Sequence, residues 1–92
     1  MLFAQGDLIT LRWIGSGTLS AGETYRVTVE DLSTGAVHIA DTTELSFILP
    51  SDWQGQDGQR HDYRWTISVI RSSDPESPLF TTDPRLFTWE GR

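Results

Sequence analysis

The sequence predicts an all-β chain in which two antiparallel sheets stack face to face as a sandwich of about seven strands. Three observations carry this. Apolar residues recur at every second position, the alternating runs are short, and glycine or proline turn chemistry closes each run. No stretch holds the i, i+3, i+4, i+7 spacing of an amphipathic helix.

Taken in order, residues 8–13 place Ile9, Leu11 and Trp13 on one face, and residues 25–30 do the same with Tyr25, Val27 and Val29. The turn signal Ser33-Thr34-Gly35 leads to a short edge segment, 37–39, whose His38 is expected to be solvated. Residues 44–49 offer Leu45, Phe47 and Leu49. The strongest strand, 63–69, offers Tyr63, Trp65, Ile67 and Val69, and 86–89 closes the series with Phe87 and Trp89. That makes six strands, or seven if Leu2-Phe3 pairs. Breaks at Gly15-Ser16-Gly17, Ala21-Gly22, Asp57-Gly58, Asp74-Pro75, Ser77-Pro78 and Asp83-Pro84 separate them. The shared look of "YRVTVED" and "YRWTISV" is the alternation itself and not an internal repeat.

With 92 residues the chain is a single domain, 1–92, able to bury roughly 60 to 65 % of its unfolded surface. It has no cysteine, so four Trp and four Phe must supply the stability that cross-links give other small domains. A net charge of −6, with seven scattered Arg and no Lys, argues against a nucleic-acid partner. No apolar run approaches the length of a membrane span, and residues 1–6 lack the basic start and apolar length of a signal peptide. Without Asn there is no N-glycosylation acceptor.

The order Trp13, then Tyr25 and Val27, then Leu49-Pro50 before a loop, then Tyr63-x-Trp65-x-Ile67-x-Val69, resembles the fibronectin type III-like branch of the immunoglobulin-like sandwiches. The resemblance covers nearly the whole chain. It implies that Trp13 is a core tryptophan of the second strand, Tyr25 a tyrosine of the third, and Tyr63 the tyrosine whose hydroxyl bonds back to the loop before its strand. These are packing residues, so fold is implied rather than activity. The chain departs from the family in a longer segment between Leu49 and Tyr63. It has Gln5-Gly6-Asp7 in place of an Arg-Gly-Asp adhesion motif, and it lacks the cysteine pair of antibody-like domains.

Chemistry is sparse. Cysteine is absent and no Gly-x-Ser-x-Gly elbow occurs, so nucleophilic catalysis has no visible constellation. His61 and Asp62 are adjacent and point to opposite faces of an extended chain, so they form no dyad. Gly15-Ser16-Gly17-Thr18 lacks the third glycine and the following helix of a dinucleotide loop. Asp52, Asp57 and Asp62 do not follow calcium-loop spacing, and His38 has no second ligand at metal spacing. No catalytic residue, cofactor or metal is therefore assigned.

The stretch 51–62, "SDWQGQDGQRHD", is the one candidate for recognition. Trp53 with Gln54, Gln56, Gln59 and His61 makes a flat aromatic face flanked by amides, a platform suited to sugar rings or a peptide. The other interpretation is a lid: Pro50 ends a strand, Trp53 folds over the open end of the core, and Asp57-Gly58 turns the chain back to Tyr63. The lid is preferred, because a tryptophan near a sandwich rim is more often structural. The expectation is a non-catalytic spacer or protein-interaction module excised from a larger surface or secreted protein, monomeric in isolation. Its place is extracellular, periplasmic or at the cell surface, and its partners are neighbouring domains or other proteins. Both ends, Leu2-Phe3 and Trp89-Glu90-Gly91-Arg92, lie close to strands, in keeping with excision. A carbohydrate-binding module using Trp53 is the alternative.

Overall fold

The computed structural model describes residues 2–4, 6–14 and 19–91. The expected glycine-rich turn at 15–18, with Met1, Gln5 and Arg92, lies outside the described residues. The strands are β1 (Leu2–Phe3), β2 (Thr10–Arg12), β3 (Glu23–Asp31), β4 (Val37–Thr42), β5 (Ser46–Ile48), β6 (Arg60–Arg71), β7 (Phe80–Thr81) and β8 (Arg85–Glu90). A single 3-10 turn, Ser51–Trp53, follows β5.

Six strands form one sheet in the order β1-β8-β6-β3-β4, with β7 beside the far half of β6, and β2 pairs with β5 in a second sheet. All pairings are antiparallel except β1 with β8. The two sheets meet in one core. Ile9, Leu11 and Leu49 come from the smaller sheet and its flanks, and Tyr25, Val27, Val29, Tyr63, Ile67, Phe87 and Trp89 from the larger. Burying side chains that would otherwise face water supplies the main driving force, and a chain without disulfides depends on it.

Register explains why the alternation works. Val27 lies opposite Ile67 and Val29 opposite Trp65, while the outward positions oppose Thr28 to Thr66 and Glu30 to Arg64. Arg64 and Glu30 form an ion pair on that outer face, and Arg26 pairs with Asp41 at 2.9 Å. A one-residue slip would move the whole apolar set into solvent, so the register is strongly specified.

Several expectations are corrected. The described residues form eight strands rather than about seven. The added strand is β7: Pro84 has no N–H to donate, and Thr82 completes the edge with its hydroxyl, which accepts from Ile67 N–H at 3.0 Å. Leu2–Phe3 does pair, beside β8. Leu45 precedes β5 and is half exposed instead of joining Phe47 and Leu49 inside. His38 does lie on an edge strand, β4, but its side chain is half-buried rather than solvated. It opposes Val29 on the inner side of β4 and stacks on Trp53, with ring centroids 5.1 Å apart and planes at 13°.

Candidate functional site

The segment from Pro50 to Gln59 folds over one end of the core. Trp53 sits half-buried at the end of the 3-10 turn, between Phe47 at 5.6 Å and the stacked His38. The Gln54 side chain is buried and donates to the Glu90 carbonyl of β8. Tyr63, fully buried on β6, donates its hydroxyl to Trp53 O at 3.3 Å and accepts from Gly55 N–H at 3.1 Å. One phenol therefore ties two successive parts of the segment to the middle strand of the large sheet. Burial raises its pKa, so it stays a neutral donor and acceptor.

His61 continues the inward face of β6 one step beyond Tyr63 and is only 3 % exposed. Its Nδ1 lies 2.7 Å from Asp31 Oδ2 at the end of β3, and its Nε2 lies 2.8 Å from Asp57 Oδ1. A carboxylate only accepts, so this arrangement favours the protonated ring, in which both nitrogens donate. Its pKa is raised, first by the hydrogen bond to Asp57 and then by Asp31, against burial, which pulls it down. Asp57 is held below the usual carboxylate value by the Gln59 N–H and by His61.

Each carboxylate is itself placed by local chemistry. Asp31 Oδ1 accepts from Ser33 N–H at 2.9 Å and Thr34 N–H at 3.3 Å, an Asx turn completed by Gly35 at φ 81°. Asp57 accepts from Gln59 N–H at 3.0 Å across the bend at Gly58, where φ is 72°. The backbone lies against the ring at Gly55: a Cβ there would stand 2.6 Å from Nε2. Gly91 is equally confined, its Cβ position being 2.8 Å from Gln59 O and 2.9 Å from Gly55 O. Asp31–His61–Asp57 is thus a clasp joining the β3–β4 turn, β6 and the 54–59 segment.

Of the residues singled out in the sequence, Trp53, Gln54 and His61 are brought together in packing and hydrogen bonding, while Gln56 and Gln59 are exposed beside them. All but Gln59 line a shallow depression of about 420 Å³ that Asp31, His38 and Asp57 share. Asp62, adjacent to His61 in sequence, is not its partner. The structure turns Asp62 outward, where it accepts from the Thr88 hydroxyl at 2.8 Å. Asp31 and Asp57 were missed as partners. The signals were present in Val29-x-Asp31, which carries the inward period to the strand end, and in Asp57-Gly58, a turn four residues before His61. Among the described residues no group of three or more His, Cys, Asp or Glu has metal-holding geometry. No hydroxyl among them bonds to either ring nitrogen of His61.

Comparison with protein-family models, with curated proteins and with solved structures found no match for this chain.

Proposed function

We propose that the chain is a non-catalytic, immunoglobulin-like β-sandwich module of the fibronectin type III-like kind, serving as a spacer or protein-interaction domain of a larger surface or secreted protein. The observation that carries this is the clasp: the polar cluster that most resembles a reactive site has both imidazole nitrogens committed to carboxylates, so the ring holds no free base. Strand adjacency supports the fold kinship. The pairing of β2 with β5 and the adjacency of β8, β6 and β3 are compatible with the B–E and G–F–C adjacencies of such sandwiches. The Tyr63 hydroxyl returning to Trp53 O fits the tyrosine corner of that architecture.

A carbohydrate platform at Trp53 is the competing function. Stacking on His38 and packing on Phe47 already occupy much of the ring and favour a lid. The test is a ¹H–¹⁵N titration of the labelled chain with a panel of soluble oligosaccharides. It is readable because, with no Asn, every side-chain amide pair belongs to Gln, and three of the four Gln lie in this segment. A module of the proposed kind gives no saturable shift at the Trp53 indole or the Gln amides. A saturable shift confined to them would replace the proposal with a sugar-binding one.

A further inference from the structure

At the end of β2, between the two sheets and away from the clasp, Trp13, Ile14, Trp65 and Phe80 form the apolar walls of a cleft of about 500 Å³, with Arg12 and Arg85 at its rim. Its volume is in the range of sites that take a large side chain or a small ligand, about 300–1,000 Å³. Ile14 is 96 % exposed and Phe80 52 %, so apolar surface stands open to water here. Tryptophan, phenylalanine and arginine are the residue types that concentrate binding energy at protein interfaces.

The charges say what fits. The described arginines 26, 60 and 64 each pair with a carboxylate, whereas Arg12 and Arg85 have none within ion-pair distance among the described residues. Asp83 is the single carboxylate lining the cleft and pairs with neither. In a chain of net charge −6 this leaves a local excess of positive charge around an aromatic opening. The Arg85 guanidinium lies 6.0 Å from the Trp65 ring centroid, which orders its stem and leaves its outer N–H groups available.

We propose that this cleft is the interaction surface of the module and that it takes a partner-protein segment in which an aromatic side chain stands next to Asp or Glu. The aromatic ring fills the space between Trp13 and Trp65, and the carboxylate is held by Arg12 and Arg85. This rests on the interaction-module function proposed above and adds the place and the partner chemistry.

The probe is the peptide acetyl-Ala-Phe-Asp-Ala-amide, titrated into the ¹⁵N-labelled chain beside its Phe-Asn and Ala-Asp counterparts. Saturable shifts at the indole N–H groups of Trp13 and Trp65 and the amides of Phe80 and Arg85 are expected. Binding should fall at least about fivefold with either counterpart peptide, or in Arg85→Gln and Arg12→Gln, the loss typical of one interface anchor. Both arginines are exposed, so these variants leave the core intact. Equal binding of the Asp and Asn peptides, or no shift at the cleft, overturns the proposal. Shifts on another face would overturn the cleft while leaving an interaction module standing. Saturable sugar-dependent shifts at Trp53, with no peptide-dependent shift at the cleft, would overturn the module and the cleft together.

Discussion

His61 reaches the interior because position 61 continues the inward face of Tyr63, Trp65 and Ile67, and burial there obliges both ring nitrogens to find partners. Its pKa is raised above the unfolded value of 6.5, so the clasp's contribution is present in full below about 6.5 and is lost as pH rises through the folded pKa. Asp57 is shifted the other way: its contribution is present above 3.8 and is lost as pH falls through its folded pKa. Urea-unfolding midpoints recorded from about pH 5 to about pH 9 should therefore decline on the alkaline side, and His61→Gln should flatten that decline. His61→Ala leaves buried Asp31 without its cation and should cost about 3 kcal/mol. Gly55→Ala places a methyl group on a ring fixed from both sides. Overpacking of this kind should lower stability by about 1–3 kcal/mol in the same measurement.

Among the elements, the strands were legible because one face of each is buried, and burial writes itself into sequence as alternation. Val27 and Val29, like Ile67 and Phe87, lie where period two puts them. The segment 50–59 was legible only as a turn, because its partners are backbone groups and residues distant in the chain: Gln54 to Glu90 O, Gly55 to the Tyr63 hydroxyl, Asp57 to a histidine bound also by Asp31. β7 escaped notice for a related reason, since a two-residue strand beside Thr82 and Pro84 has too few positions to show a period. The segment's role as a closure makes a distinct prediction. Tyr63→Phe removes one donor and leaves Gly55 N–H without its acceptor, and should cost about 1–2 kcal/mol by chemical denaturation. Trp53→Ala, which uncovers Phe47 and His38, should cost at least about 2 kcal/mol. If Trp53→Ala left the unfolding midpoint unchanged, the ring would be a free platform rather than a lid.

Over the whole molecule, pairings that join distant parts of the chain dominate: β1 with β8, β2 with β5, and β3 with β6. Such topology makes folding slow relative to helical domains, on the order of milliseconds to seconds. Stopped-flow refolding followed by tryptophan fluorescence should show this range, and a microsecond phase completing the native signal would contradict it. The same topology explains what the sequence withheld. Alternation specifies which side of a strand is wet, yet it leaves open which strands are neighbours. The clasp exists only because β3 and β6 pair in a register that sets Asp31 opposite Tyr63, two positions from His61.

On the proposed reading, the end closed by Trp53 and His61 is structure rather than a reactive or ligand-binding site. It is tested most directly by a long-range ¹H–¹⁵N spectrum of the His61 ring at about pH 7, followed upward in pH. The clasp predicts that His61 carries protons on both nitrogens at that pH and titrates with a midpoint above the ordinary value of about 6.5. A neutral His61 at about pH 7, with one nitrogen free and an ordinary or lowered midpoint, would contradict it and return the ring to the status of an available general base.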